Sequence, residues 1–360
     1  MNYKEILLNK LLPFHAKRIP DNSFGGVFTS LDKDGNVNST DKNIWGEARA
    51  LFAYSSACNE YGVKEEYIEI CESIFEFLRK CTMEGGKLPF VVSRDGAAKT
   101  VKDNLHSECY AALGCACFYK LTKREEVKET AMLFFDRSMQ LYDKMCAGEG
   151  YGSMDRFAVH SLVHYASSFM RECDSKYDAY FKKSVKNMID GGYFRDDLDL
   201  LLDYKTKVGE APEGVANICI PGDSFVAAWV LMSENMSEPD SKEALFAKKI
   251  LDTATKFRQN DRFGLVPLIY QIDNPESSGE YKFWPQWEAL VAYSLAEKLF
   301  SEKKYAEYAE ETKAALEKYL MNEGETEFYC DLDENANVIG NGIHGDLFHI
   351  PRALLMLDRI

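Results

Sequence analysis

Apolar residues recur at helical spacing along twelve stretches, 2–17, 41–61, 64–81, 103–121, 124–145, 154–172, 176–190, 222–234, 240–259, 284–299, 303–321 and 347–358. Breaker residues separate them. The connections alternate in length. After the second, fourth, sixth, eighth and tenth helices the link is a few residues at most. After the first, third, seventh, ninth and eleventh it is about 20–30 residues. The link after the fifth, around Gly148–Ser153, is the shorter exception. The long links share a texture. GGVFTSLDKDGNV (25–37) alternates and carries an Asp-Gly turn, which predicts a β-hairpin. GGKLPFVVSRDGAAK (85–99), FGLVPLIYQIDNP (263–275) and TEFYCDLDENANV (326–338) read the same way.

The helices are of two kinds. SKEALFAKKILDTATKFRQ and EKKYAEYAEETKAALEKYL each have one apolar face and one charged face. DSFVAAWVLM is apolar almost all round, as a buried helix must be, and PQWEALVAYSLA is close to that. Even-numbered helices read as inner and odd-numbered ones as outer. Twelve helices alternating in this way, with the long loops on one side, predict an all-α fold, an (α/α)6 barrel with β-hairpin loops on the active-site side. No Pro- or Ser-rich linker divides the chain, so the expectation is a single domain over 1–360. The long loops would build a cup at the N-terminal ends of the inner helices, the natural place for a ligand.

Composition narrows the partners. Hydrophobic residues make up 46% of the 360, enough for a large core, and the formal charge of −15 argues against nucleic acid and anionic membrane surfaces. No apolar run reaches the ~18–20 residues of a membrane span. The first helix, MNYKEILLNKLLPFHAKR, reads as amphipathic and not as a signal peptide. Ten cysteines without a C-x-x-C pair suggest reduced thiols in a cytoplasmic protein, and no Cys/His cluster has zinc spacing. Neither a metal nor a cofactor is expected; the Gly pairs lead into hairpins, not phosphate-binding turns. A homodimer is compatible with the apolar helix faces.

The first turns of the inner helices hold the candidate chemistry. The second helix offers Trp45, Glu47 and Arg49. The fourth offers His106, Glu108 and Tyr110. The sixth offers Asp155, Arg156 and His160, with His164 one turn deeper. The eighth offers Asp223. The tenth offers Trp284, Gln286 and Glu288. The twelfth is entered through His344, Asp346 and His349, followed by Arg352. Each has a plain alternative. Asp155 and Asp223 could be helix caps. Glu47 and Arg49 could form an internal ion pair. His164 reads as a core histidine, and His15 lies away from these turns. Together, carboxylates, imidazoles, one Arg and several aromatics suit a neutral polyhydroxylated ligand better than a polyanion.

Five segments resemble, in order, those of the N-acylglucosamine 2-epimerase family, which includes cellobiose 2-epimerases and mannose isomerases. GGVFTSLDKDGNVNSTDKNIWGEARALFAYS is similar to the family's first hairpin and W-x-Q-x-R helix. HSECYAAL resembles its S-E-C-F/Y segment, and IPGDSFVAAW its P-G-H-x-x-E-A-x-W segment. FWPQWEALVAYSLA resembles W-W-P-x-x-E-A, and GDLFHIPRALLML resembles C-F-H-V-P-R. The resemblance implies an (α/α)6 barrel and sugar C2 chemistry. A base removes the proton alpha to the carbonyl of the open-chain sugar, and an acid returns it to the other face of C2 or to C1. It implies His349 as a catalytic histidine, Arg49 as the enediolate-binding arginine, Glu288 as a site glutamate and Trp284 as a sugar-facing aromatic. His160 falls near a position that is histidine in some branches. The chain departs from the pattern at three places. Asp223 stands where the second catalytic histidine is expected, Val226 where its glutamate is expected, and Glu47 where the family has Gln. Asp223 can serve as a C2 base only if burial or neighbouring carboxylates raise its pKa well above ~3.9. Two other readings stay open: a glycoside hydrolase pairing Asp223 with Glu288 or Glu47, and a non-catalytic sugar-binding relative.

Overall fold

The computed structural model describes residues 1–32, 35–103, 105–149, 155–205, 217–272, 280–321, 331–339 and 347–360, with Asp155 and Lys205 described by backbone alone. Helices form at all twelve expected places. Helix α1 runs through Tyr3–Glu5, a π-helical stretch Ile6–Leu11 and Leu12–Ala16. The widened turn precedes Pro13, which has no N–H and crowds the turn before it. The others are α2 (Ile44–Tyr61), α3 (Glu65–Lys80), α4 (Leu105–Thr122), α5 (Glu125–Cys146) and α6 (Phe157–Cys173). They continue with α7 (Asp178–Asp190), α8 (Pro221–Ser233), α9 (Lys242–Gln259) and α10 (Phe283–Phe300). Last come α11 (Lys303–Ala315, prolonged by Leu316–Leu320) and α12 (His349–Arg359).

The two kinds of helix are evident from burial. In α8 only Asp223, Val226 and Ser233 escape full burial. In α3 the buried residues Tyr67, Ile70, Cys71, Ile74, Phe75, Phe77 and Leu78 form one stripe, with glutamates and basic residues on the other face. Helix α9 is of the same kind and starts at a Ser241 cap whose hydroxyl accepts the Ala244 N–H.

The chain forms two compact units. The first comprises Met1–Gly152, Ala166–Tyr180 and Asn341–Leu355, and the second Ser153–Tyr165, Phe181–Gly340 and Met356–Ile360. Three of the five passages of the chain between them fall inside α6, α7 and α12. In the first unit α2 packs on α3 and α4, and α4 on α5. The α2–α4 approach is close: a Cβ on Gly114 would lie 2.7 Å from the Ala48 carbonyl. In the second unit α8 packs on α9 and α10, and α10 on α11.

The loops carry short strands. In the first unit Leu31 bridges Val37, as the first predicted hairpin requires. A three-stranded sheet follows, with β1 (Lys42–Asn43) against β2 (Val91–Val92) and β2 against β3 (Ala98–Thr100). In the second unit β4 (Asp155–Arg156) pairs with β7 (Tyr204–Lys205), and β5 (Phe194–Arg195) with β6 (Leu200–Leu201). The expected hairpin over 263–275 is corrected. Its strand β9 (Tyr270–Gln271) pairs not with its own segment but with β8 (Ile218–Cys219) from the loop before α8. Pro267 lacks the N–H that a partner strand would need there. The fourth predicted hairpin is present as a Leu332–Val338 bridge, and β11 (Asp331–Leu332) also pairs with β10 (Tyr281–Lys282). Residues 326–330 of that prediction lie outside the described residues. Among the described residues no helix is long and apolar enough to cross a membrane.

Candidate active site

The first unit contains a cavity of about 420 Å³ lined by Trp45, Arg49, Phe90, Lys102, Asp103, His106 and Tyr110. Trp45 and Arg49 stand one turn apart on α2, and His106 and Tyr110 one turn apart on α4, so each pair shares a helix face. The Arg49 guanidinium lies 4.1 Å from the Trp45 ring centroid and 4.4 Å from that of Tyr110. Its Nη2 donates to the Tyr110 hydroxyl at 2.9 Å. Stacking and hydrogen bond together hold the cation in one orientation. The Phe348 ring is 5.0 Å from the same guanidinium and packs edge-on against Tyr110. Phe348 directly precedes His349, which begins α12. Arg352 Nη2 lies 3.5 Å from His349 Nδ1.

Glu47 and Glu108 occupy the opposite side of their helices. Glu47 is fully buried, and both its carboxylate oxygens lie 2.9 Å from the Val27 N–H. Burial pushes its pKa up to about 8, against the pull of Lys42 and the Val27 N–H. Glu108 accepts the Leu88 N–H at 3.0 Å, and burial raises it to about 7. In the second unit Gln286 does the same to Val266, accepting its N–H and donating to its carbonyl, both at 2.8 Å. In all three cases the brace reaches a loop residue twenty positions upstream. The expected internal ion pair of Glu47 with Arg49 is replaced by one with Lys42, at 4.0 Å. Lys42 is itself buried, 3.2 Å from Asp21, and Asp21 takes a two-point contact from Arg94. Glu47 and Gln286, expected among the sugar-binding groups, are thus placed as loop braces.

In the second unit Asp223 is not a cap. The N-cap of α8 is Ile220, and Asp223 stands in the first turn. Its Oδ2 lies 3.4 Å from Arg156 Nη2, while Arg156 Nε donates to Asp203 Oδ2 at 2.8 Å. Asp203 and Asp223 thus flank the same Arg156 guanidinium. Asp223 is held well above the usual carboxylate range, first by burial and then by the Asp203 charge, with Arg156 opposing. Asp203 is raised as well, by burial, with Arg156 opposing. Gly222 abuts Trp284: a Cβ there would overlap the indole and come within 3.0 Å of Pro285 Cγ. That contact accounts for the glycine after Pro221. Glu288 is buried and accepts the Trp229 indole N–H at 2.6 Å.

The remaining candidates divide. His160 is fully buried with its Nε2 2.7 Å from the Tyr193 hydroxyl, the setting of a core histidine and not of one presented to a ligand. His164 packs on Phe181 and Ser184, and His15 Nδ1 meets the Leu11 carbonyl at 2.9 Å. Asp155 is on β4, not at a helix cap. His344 and Asp346 lie outside the described residues. Sequence reasoning missed Phe90, Lys102, Asp103 and Asp203, all of them in loops. Among the described residues no Cys, His, Asp and Glu group has metal-binding geometry, and the cysteines are thiols.

The chain is mostly helical and shares the (α/α)6 barrel fold of solved sugar-epimerase structures. The N-acylglucosamine 2-epimerase (GlcNAc 2-epimerase) family profile matches residues 26–166 and 181–353, and the chain belongs to that family. The Mus musculus N-acylglucosamine 2-epimerase is 23% identical over 98% of this chain and 90% of its own length. Among solved structures, a D-mannose isomerase superposes with a TM-score of 0.86 at 15% identity, covering 99% of this chain and 98% of its own. The cellobiose 2-epimerase of Spirochaeta thermophila superposes at 0.84 and 17% identity, covering 99% of this chain and 95% of its own. An alpha-1,6-mannanase of Salegentibacter shares the fold less closely, at 0.66 and 13% identity over 100% of this chain and 99% of its own.

Proposed function

We propose that this protein epimerises a mono- or disaccharide at C2, or isomerises it between aldose and ketose, by enediolate proton transfer. The observation that carries the reading is the Arg49 guanidinium, fixed by Trp45, Tyr110 and Phe348 at a cavity of about 420 Å³. That volume falls within the ~300–1,000 Å³ of small-ligand sites. A guanidinium held in advance needs no reorganisation to stabilise the oxyanion that develops when C2 loses its proton. The flanking indole and phenol suit the apolar face of a sugar ring.

His349 is the proton-transfer group of the first unit. It takes the C2 proton of the open-chain sugar. The electron pair moves into the C1–C2 bond, and the carbonyl oxygen becomes the enediolate oxygen that Arg49 binds. Return of a proton to the other face of C2 gives the epimer. Return to C1, with the hydroxyl proton moving from O2 to O1, gives the ketose. Only protons move, so no redox cofactor is needed. Asp223 is the proton-transfer group of the second unit, in place of the second histidine of the family pattern. Trp284 and His106 serve sugar binding. Buried thiols suit a reducing, cytoplasmic setting.

Proton NMR of mannose, glucose, N-acetylmannosamine and cellobiose in heavy water tests the reading. Enzyme-dependent loss of the C2 signal is expected for at least one sugar. Release of reducing ends from oligosaccharides without exchange at C2 would favour a hydrolase instead.

A further inference from the structure

Two carboxyls and one guanidinium meet in the second unit, and their charges do not balance. Asp203 is almost entirely buried, its side chain 1% exposed, and Arg156 Nε bonds it at 2.8 Å. Its backbone is fixed on both sides: its N–H donates to the Ile218 carbonyl at 2.9 Å, and its carbonyl accepts the Phe157 N–H at 2.8 Å. The pairing of Arg156 with Tyr204 in β4–β7 fixes the guanidinium beside it. Asp223, at 17% exposed, is the more accessible of the two carboxyls. The described groups facing it are Arg156 from β4, Asp203 from the loop before β7, Cys219 from β8 and Glu288 from α10, while the Tyr204 ring lies against Arg156. Among the described side chains Arg156 is the one cation of this group. Two carboxylates sharing one cation in a desolvated place retain a proton between them.

The geometry points to Asp203, Asp223 and Arg156 as one proton-holding unit, with Asp203 the positioning residue that lets Asp223 act as an acid as well as a base. This rests on the reading of the chain as a sugar epimerase or isomerase. Asp203 supplies the supporting carboxylate that Val226 cannot, and it does so from a loop instead of from α8. With the proton on Asp223, the group can donate to a sugar oxygen or carbon. After donation the pair is dianionic, and Arg156 stabilises it until a proton returns.

Two measurements test the inference separately from the reading it rests on. The first is infrared spectroscopy of the folded protein with carboxyl-labelled aspartate, from pH 4 to pH 9. A labelled protonated-carboxyl band should persist through neutral pH in the wild type and be absent there in Asp203→Asn, whose Asp223 no longer shares Arg156 with a second carboxylate. The second is the pH profile of C2 exchange. Asp203→Asn should move it to lower pH by at least one unit and lower the neutral-pH rate at least tenfold, with KM within about threefold. Asp203→Glu should restore part of the loss. Absence of the band in the wild type at neutral pH overturns the inference, whatever the activity. So does an unchanged pH profile in a folded Asp203→Asn. If the band behaves as expected while no sugar exchanges, the proton-holding unit stands and the functional reading fails.

Discussion

Replacing Glu108 by Gln should make the protein's stability less dependent on pH. Glu108 is buried, its one Leu88 N–H bond is 3.0 Å long, and Gln286 makes the equivalent contact with an amide. The carboxyl titrates near 7 in the fold, against 4.5 as its ordinary value. A raised carboxyl pKa means that the native state holds a proton the unfolded chain has released. Its contribution is therefore full below about 4.5 and is lost as pH rises through about 7. With those two values, the wild type gains about 2.5 kcal/mol from this one group between pH 8 and pH 5. Gln is neutral throughout and keeps the acceptor for Leu88. The stability difference between variant and wild type should therefore shift by about 2.5 kcal/mol in favour of the variant from pH 5 to pH 8. For 360 residues this corresponds to about 3 °C in Tm, taking an unfolding entropy of about 2 cal/mol/K per residue. Circular dichroism melts of both proteins at the two pH values measure it. A difference in Tm that is the same at pH 5 and pH 8 would refute the buried-carboxyl brace. Glu108→Ala should instead be destabilised at both, by about 1–3 kcal/mol, because the Leu88 N–H loses its acceptor.

Further outcomes follow from single contacts. Gly222→Ala should displace Trp284 and lower kcat/KM at least tenfold, with indole fluorescence reporting the displacement. Arg49→Lys keeps the charge but loses the flat cation between Trp45 and Tyr110; kcat should fall about 10²–10³-fold, and a change under threefold in steady-state assays would contradict the enediolate role. Trp229→Phe removes the indole N–H from buried Glu288 and should cost about 1–3 kcal/mol in urea unfolding. A neutral effect would mean that the bond carries little.

Much of the fold was legible because link length and helix type are one-dimensional properties. Short and long links alternate along the chain, and DSFVAAWVLM differs from SKEALFAKKILDTATKFRQ at sight. The pairing of β8 with β9 was not legible, since ICI and LIY are compatible with several partners. At the site the readable signal was finer than the one used. Trp45 and Arg49, His106 and Tyr110, and Trp284 and Glu288 each lie four apart and share a face. Glu47, Glu108 and Gln286 lie midway, about 200° round the helix from the first of each pair, and turn to the loop. That arithmetic separates the cavity-lining Trp45, Arg49, His106 and Tyr110 from the loop braces Glu47 and Glu108. It could not have found Asp203, which belongs to no periodic element and meets Asp223 only through the β4–β7 pairing. Nor could it separate His160, whose partner Tyr193 comes from another loop.

The proposed function requires His349, beside the held Arg49, to carry proton transfer at C2. Its most direct test is the rate of C2 deuterium incorporation into the best substrate of the sugar panel, compared between the wild type and His349→Ala at saturating sugar. The variant should bind the sugar, by calorimetry, and lose exchange by at least about 10³-fold. An His349→Ala protein that exchanges at the wild-type rate would contradict it.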